Sequence, residues 1–287
     1  MRKFWRGDPG QRQDFAARLA GSGDIFDRQA RRPWESINYI ASHDGFTLAD
    51  LVSYSQRHNE ANHEEGSGEG NSYNWGAEGP TEDQQILETR GRVQRSMLTT
   101  LFFSLGTPML LGGDEFGRTQ RGNDNAYSQD NETSWFDWKR ASSPRGQALT
   151  AFVTRLIALR RGYPVLRSRR FLHGRTEPAP GIKDIAWFDE RGESISPEAW
   201  NNPELRVLTV RRAQELPDGA VDILTLCLNP SNEDRRFVLP PPVLPARVLV
   251  DSTKPDTTDE LDVGNNEIDV RAHGAVLVAA RYQAKPT

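Results

Sequence analysis

The strongest constraint on the fold of this 287-residue chain is the small number of strands in its first half. Two short runs there, Ile37–Ser42 and Thr107–Leu111, are predicted to be buried strands. A long helix is predicted between them over Asp83–Leu105, where apolar residues recur at helical spacing. A strand, a helix and a second strand in this order favour a parallel βα unit.

Two strands are too few to close the barrel that such units often build. A (β/α)8 barrel takes about 250 residues, whereas the βα part ends near Leu166. This part is therefore either a small two-strand unit or the end of a larger domain. We favour the second interpretation, because Phe4 and Trp5 have no preceding segment in this chain to pack against.

After about Leu166 the sequence becomes a series of short alternating or apolar runs separated by turn-forming residues. The runs are Ile185–Phe188, Val207–Arg211, Ile223–Leu228, Arg235–Leu239, Arg247–Val250, Glu267–Val270 and Ala275–Ala280. This spacing predicts an antiparallel β domain, so the fold class is α/β plus all-β. We expect one domain over residues 1–165 and a β-sandwich domain over residues 166–287.

Both predicted parallel strands end in polar clusters. His43, Asp44 and Gly45 follow the first strand, and a cluster over Gly112–Arg118 follows the second. Functional groups of parallel βα folds lie at the carboxyl ends of the strands. A single acid there can also be a helix N-cap, but clusters on two successive strands favour a functional site.

Composition argues against several classes of partner. The net charge of −4 disfavours nucleic acid and anionic membranes, which attract clustered lysine and arginine. One cysteine, Cys227, allows neither an internal disulfide nor a zinc site built on thiolates, and we expect a cytoplasmic setting. No run is long and apolar enough to span a membrane. Without metal-ligand spacing or a phosphate-binding glycine loop, we expect no metal and no cofactor.

Six stretches within the first 138 residues carry a resemblance to a known family, in order and at matching spacing. They are FWRGD (Phe4–Asp8), RLAGSGDIF (Arg18–Phe26), SINYIASHDGFTLADLVSY (Ser36–Tyr54), HNEAN (His58–Asn62), GTPMLLGGDEFGRTQRGNDNAY (Gly106–Tyr127) and SQDNETSWFDW (Ser128–Trp138). The chain resembles the C-terminal half of bacterial glycogen debranching enzymes of the isoamylase type, in glycoside hydrolase family 13. Its β-rich remainder resembles the family's C-terminal β-sandwich only in its position and in its series of short strand-like runs.

The resemblance implies a (β/α)8 barrel whose seventh and eighth strands are Ile37–Ser42 and Thr107–Leu111. It implies cleavage of α-1,6 branch linkages in glycogen or limit dextrin, with retention of configuration. Of the family's three carboxylates, the one that stabilises the transition state matches Asp44, and His43 is implied to hydrogen-bond the same sugar. The nucleophilic Asp and the acid/base Glu lie upstream in the family, outside this chain.

Local acids are poor substitutes for the two upstream carboxylates. Retaining hydrolysis needs two carboxyl groups about 5–5.5 Å apart. Asp114 and Glu115 are adjacent, and adjacent residues leaving a strand point to opposite sides. We therefore expect the chain to be inactive alone.

A second polar group, at Asn123, Asp124, Asn125 and Tyr127, offers amide, hydroxyl and ring surfaces suited to a sugar. An Asx-turn is the alternative interpretation of these residues. The family pattern favours Asn where Asp124 stands, so Asp124 is expected to add a charge beside the sugar. The stretch His58–Asn62 either reaches over the sugar or is a solvated loop.

Three hypotheses remain from the sequence. The chain is part of a debranching enzyme, or it is a non-catalytic glucan-binding or interaction protein, or it is one half of a split enzyme. In the third case a separate N-terminal half supplies the missing strands. An open barrel would expose the edge of strand Ile37–Ser42 and so favour association.

Overall fold

The computed structural model describes residues 1–60, 66, 70–255 and 261–283. Its helices in these ranges are α1 (Arg2–Arg6), α2 (Arg12–Leu19), α3 (Gly23–Phe26), α4 (Leu48–Leu51), α5 (Gln84–Phe103), α6 (Trp138–Ser142), α7 (Pro144–Gly162) and α8 (Pro197–Asn201). The predicted long helix is confirmed as α5. It begins after Asp83, whose carboxylate accepts the N–H groups of Gln85 and Ile86 as an N-cap.

The strands in the same ranges follow the predicted series closely. They are β1 (Ile37–Asn38), β2 (Thr107–Pro108), β3 (Ile185–Phe188), β4 (Leu208–Glu215), β5 (Val221–Asn229), β6 (Arg235–Val238), β7 (Ala246–Asp251), β8 (Leu261–Asp262), β9 (Glu267–Val270) and β10 (Gly274–Tyr282). All seven strands predicted after Leu166 are therefore confirmed, with ends shifted by a few residues. Strand β8 is an addition.

The β part consists of two antiparallel sheets. Six strands lie in the order β3-β4-β5-β10-β7-β8, and β6 pairs with β9 in a second, smaller sheet. Strand β5 is buried along its whole length, so both of its faces are covered. Leu224, Leu226 and Leu228 lie in the core shared with the helices, whereas Cys227 packs against Phe237 of the small sheet.

The two parallel strands are much shorter than predicted. Strands β1 and β2 pair in parallel over two residues each, and in the described ranges they form no closed barrel. The expected strands Ile37–Ser42 and Thr107–Leu111 are therefore corrected to short segments. Pro108 has no N–H to donate, and the bonds from Thr107 N to Ser36 O and from Met109 N to Asn38 O hold the pair.

The aromatic pair at the start of the chain is buried, and its partners come from elements later in the chain. The Phe4 ring stacks on Phe15 with centroids 3.8 Å apart. Trp5 is buried, and its Nε1–H donates to Thr100 Oγ1 at 3.1 Å. Helices α2 and α5 supply these partners, so the pair needs no further segment to bury it.

The helical part and the six-stranded sheet share one hydrophobic core. Helix α5 contributes Val93, Leu98 and Leu101, and the sheet contributes Leu226 and Leu277. Polar contacts fix the same interface, because the buried Ser96 hydroxyl donates to His273 O at 2.9 Å and its oxygen accepts from the Ser252 hydroxyl at 2.9 Å. The division into two domains near residue 165 stays a prediction.

The buried Arg212 of β4 connects the helices to the sheet. It donates to Phe103 O at 2.6 Å and to Leu19 O at 2.5 Å, so it closes the carboxyl ends of α5 and α2 together. Its guanidinium lies 4.5 Å from the centroid of the Phe103 ring. Burial, together with the nearby charge of Arg160, lowers the pKa of Arg212 to about 9.

Replacement of Arg212 by Ala tests this connection. The change leaves Phe103 O without its donor and removes one of two donors to Leu19 O, which keeps the Leu105 N–H. We therefore expect the free energy of unfolding to fall by about 2 kcal/mol or more. Urea denaturation followed by circular dichroism measures the loss. The exposed Arg169→Ala is the matched control. A loss as small as that of the control would contradict the role assigned to Arg212.

Candidate functional site

The candidate site is built from two segments that come after the two parallel strands. We call it the rim, defined as residues 42–45 after β1 and residues 120–127 after β2. The side chains of His43 and Asp44 are 88% and 68% exposed, with His43 Nε2 at 3.4 Å from Asp44 Oδ2. The Ser42 hydroxyl donates to the Asp44 carbonyl at 3.1 Å. The predicted catalytic acid therefore faces solvent beside its predicted neighbour.

The two halves of the rim are joined through the backbone. The Gly45 N–H donates to Asp124 O at 2.9 Å. The buried Gln120 side chain bridges the same two segments, because its amide donates to Asn123 O at 2.9 Å and to Gly45 O at 3.3 Å. The structure thus brings the cluster at His43, Asp44 and Gly45 together with the second predicted polar group, at residues 123–127.

Asp124 is a buried anchor of the rim. Its side chain is 1% exposed, its Oδ1 accepts from Asn59 Nδ2 at 2.7 Å, and its Oδ2 lies 3.2 Å from Arg57 Nε. Asn59 also accepts the Asp124 N–H at 3.0 Å. Arg57 compensates the buried carboxylate, and the expected effect of Asp124 on a bound sugar stays a prediction. Sequence reasoning missed Arg57, since nothing local marks a pair so distant along the chain.

Of the other predicted sugar-binding residues, Asn123 and Asn125 form turns and Tyr127 lies at the surface. Asn123 Oδ1 accepts the Asn125 N–H at 2.9 Å, and Asn125 Oδ1 accepts the Tyr127 N–H at 3.2 Å. Asn123 is buried, whereas Tyr127 is 81% exposed. The Asx-turn interpretation is thus confirmed for both asparagines, and Tyr127 presents its ring to solvent.

The loop that contains His58 is held in place by hydrogen bonds. The His58 N–H donates to Gly122 O at 2.8 Å, and His58 Nε2 lies 3.1 Å from Glu78 Oε1. Burial alone would raise the pKa of Glu78, but hydrogen bonds from Ser55 N, Asn74 and His58 lower it to about 2. Positions 61 and 62 of the predicted stretch His58–Asn62 lie outside the described residues.

Two further acids near the strand ends are buried. Asp114 Oδ1 accepts the Leu48 N–H at 2.9 Å, and burial raises the pKa of Asp114 to about 7. Burial also raises the pKa of Asp50, whose carboxylate accepts the Gln120 N–H at 2.7 Å. These carboxylates hold backbone groups beneath the rim, whereas Asp44 stays accessible.

The described ranges show no other kind of centre at the rim. Within them no group of three or more His, Cys, Asp or Glu side chains is placed to hold a metal ion. No helix that the structure describes has the length and apolar character needed to cross a bilayer. The chemistry available at the rim is thus that of a carboxylate, an imidazole and an aromatic ring.

The fold described above is similar to that of solved pullulanases. The pullulanase SAP of group B Streptococcus, solved with maltotetraose, matches with a TM-score of 0.67 at 17% identity, over 96% of this chain and 36% of that one. Pullulanase from Bacillus acidopullulyticus gives 0.66 at 19% identity, over 96% and 27%. At such identities the comparison establishes the fold alone.

Sequence comparison identifies closer relatives. A glycogen operon protein GlgX homolog of Mycobacterium tuberculosis is 40% identical over 98% of this chain. A glycogen debranching enzyme of Serratia proteamaculans is 42% identical over 72% of it. The predicted resemblance to bacterial glycogen debranching enzymes is therefore confirmed. The chain spans 40% and 30% of the lengths of these two relatives. No protein-family model matches the chain.

The buried Asp114 predicts a pH dependence of stability. Its raised pKa means that the folded state binds a proton more tightly than the unfolded state does. Between the ordinary pKa of an aspartate and pH 7, this group should therefore lower the free energy of unfolding by about 1.4 kcal/mol per pH unit as pH rises. Above pH 7 its effect should be constant.

The variant Asp114→Asn removes the titration and keeps an oxygen for the Leu48 N–H. Its advantage in stability over the parent should grow with pH up to about 7 and then level off. Urea denaturation from about pH 5 to about pH 8 measures this difference, with the exposed Asp14→Asn as control. Parallel pH profiles of the variant and the parent would contradict the prediction.

Proposed function

We propose that this chain is part of a glycogen debranching enzyme that hydrolyses α-1,6 branch linkages in glycogen or limit dextrin. One observation carries the proposal. The accessible Asp44 lies beside His43 at the end of β1, in a chain 40% identical to a glycogen operon protein over 98% of its length. The single cysteine, buried in β5, supports a reduced, cytoplasmic setting.

In this proposal Asp44 stabilises the transition state of a retaining hydrolysis. That transition state resembles an oxocarbenium ion, so a fixed carboxylate opposes the positive charge that develops on the sugar. The exposure of Asp44 and His43 supports contact with sugar hydroxyls. Tyr127, with its ring exposed on the same rim, offers a face on which a sugar can stack.

The nucleophilic Asp and the acid/base Glu are proposed to lie on a segment outside these 287 residues. A retaining enzyme needs them about 5–5.5 Å apart. The acids nearest the rim support this view, because Asp50, Asp114 and Asp124 are buried and bonded to neighbouring groups of the protein. The chain alone is accordingly proposed to be inactive.

The surroundings of β1 support a missing partner segment. In the described ranges β1 pairs with β2 alone. Ile37 and Tyr39 are 60% and 52% exposed, and Met109 beside them is 38% exposed. Large apolar side chains at a strand with one open edge favour the addition of further strands. We propose that an N-terminal half of the enzyme, on the same or a separate chain, pairs there.

A second candidate function is non-catalytic glucan binding, favoured by the exposed Tyr127. The pullulanase that resembles this chain was solved with maltotetraose, so this oligosaccharide is a suitable probe. The two candidates differ in one respect. Debranching requires Asp44, whereas stacking on an aromatic ring does not.

Complementation tests the proposal. The chain is mixed with the part of the Mycobacterium tuberculosis relative that it does not cover, and the release of reducing ends from a branched limit dextrin is measured. We expect no release from the chain alone and release from the mixture. Asp44→Asn should lower the rate of the mixture on the order of 10²–10³-fold, because it removes one electrostatic stabiliser.

Two controls decide between the candidates. The exposed Asp14→Asn makes the same chemical change outside the rim and should leave the rate unchanged. Reducing ends released equally by the parent and by Asp44→Asn would contradict the role of Asp44. Maltotetraose binding by the chain that is lost in Tyr127→Ala, with no release from any mixture, would favour the glucan-binding protein.

A further inference from the structure

The proposed transition-state acid, Asp44, has a side chain that lies mostly in solvent. Its carboxylate is 68% exposed and lies 3.4 Å from Nε2 of His43, which is 88% exposed. An electrostatic stabiliser is effective only when it is fixed before the reaction begins. The position of Asp44 therefore depends on the backbone on either side of it. Before it, Arg2 donates to Ile40 O at 2.9 Å through Nε and at 2.6 Å through Nη2.

The residue after Asp44 is held by both of its backbone polar groups. The Gly45 N–H donates to Asp124 O at 2.9 Å, and the Gly45 carbonyl accepts from Gln120 Nε2 at 3.3 Å. Both partners belong to the segment that follows β2. The placement of Asp124 thus sets the placement of the residue directly after Asp44.

Asp124 is itself placed by Asn59, which bonds to it twice. Asn59 Nδ2 donates to Asp124 Oδ1 at 2.7 Å, and Asn59 Oδ1 accepts the Asp124 N–H at 3.0 Å. One bond goes to the side chain and the other to the backbone of the same residue, so together they fix its position and its orientation. The Asp124 side chain is 1% exposed, and hydrogen bonds are stronger in such surroundings than in water.

Two residues close to Asn59 in sequence enclose the Asp124 carboxylate. Arg57 Nε lies 3.2 Å from Asp124 Oδ2, so a charge-assisted contact holds the second carboxylate oxygen. Gly66 lies so near that a Cβ at this position would be 2.7 Å from the same oxygen. The carboxylate is therefore held tightly by the part of the chain that supplies Asn59.

The backbone just before Asn59 is fixed by Glu78. The Glu78 carboxylate accepts the Ser55 N–H at 2.8 Å and the Gln56 N–H at 3.0 Å. Two bonds from consecutive backbone groups to one carboxylate hold this stretch in one conformation. Asn59 therefore reaches the rim from a fixed backbone.

We propose that Asn59 is a positioning residue for Asp44 and acts through Asp124 and Gly45. The inference rests on the proposed debranching function, in which Asp44 opposes the positive charge of the transition state. Displacement of a group in a site by about 1 Å can cost on the order of 10²-fold in rate. The role assigned to Asn59 requires no contact between Asn59 and the sugar.

The variant Asn59→Asp tests the path from Asn59 to Gly45. It replaces the donor with a second carboxylate that faces Asp124, and it keeps the acceptor for the Asp124 N–H. Amide hydrogen exchange at Gly45, followed by NMR spectroscopy of the full chain, requires no activity. We expect exchange at Gly45 to become at least about tenfold faster. The Thr107 N–H, which joins β2 to the segment of β1, should exchange as in the parent.

The double variant Asn59→Asp/Asp124→Asn is the rescue. It restores one donor and one acceptor between the two side chains, with the carboxylate on the opposite residue. Gly45 should then exchange at close to the parent rate. Asn232→Asp makes the same chemical change at an exposed position between β5 and β6 and is the matched control.

Kinetics test the catalytic consequence. In the mixture with the complementary part of the Mycobacterium tuberculosis relative, Asn59→Asp should lower kcat at least about tenfold and leave KM nearly unchanged. The reason is that loss of an interaction made only in the transition state lowers kcat without weakening substrate binding. The double variant should recover most of the rate, and Asn232→Asp should match the parent.

The outcomes separate this inference from the debranching proposal. Unchanged exchange at Gly45, equal acceleration at Gly45 and Thr107, or an active parent whose kcat is matched by Asn59→Asp would overturn the positioning role. Failure of the double variant to restore slow exchange at Gly45 would also overturn it. Selective loss of protection at Gly45 with no release of reducing ends by the parent mixture would contradict debranching and support the path from Asn59 to Gly45.

Discussion

The fold depends on two buried arginines that close the carboxyl end of α5. The last carbonyls of a helix have no partners inside the helix, and in a core they need donors from elsewhere. Arg212 of β4 supplies Phe103 O, and Arg160 of α7 supplies Phe102 O and Ser104 O at 2.6 and 2.9 Å. The two arginines thereby hold β4 and α7 against the carboxyl end of α5. Both cations also lie at the negative end of the helix dipole, which offsets part of the cost of burial.

This closed helix end positions the strands that carry the rim. Asn38 of β1 donates through its side-chain amide to Leu105 O at 2.9 Å, directly after α5. Gly106 follows with φ +126°, and a Cβ there would lie 2.6 Å from Ser36 O, so a side chain at this position would separate β1 from β2. The short strands are thus held by their ends. The polar residues that follow these strands are therefore also held in position.

Local patterns were enough to predict α5 and the strands of the β part. Helical spacing marks the buried face of α5, and short apolar or alternating runs between turn-forming residues mark the strands after Leu166. The length of β1 could not be read in this way, because a strand extends only as far as a neighbour pairs with it. The burial of Asp124 was equally hidden, since it depends on Arg57. Partners distant along the chain leave no periodic signal.

The shared core explains how this chain is compact while spanning 40% of its relative's length. Its helices bury their apolar faces against the six-stranded sheet, as Leu98 and Leu277 do, rather than against further parallel strands. Ile37 and Tyr39 stay exposed beside β1, which in the described ranges pairs with β2 alone. The core thus stabilises the helices from the side of the six-stranded sheet, whereas β1 keeps an exposed apolar edge. Asp44, six residues after β1, is accessible to solvent.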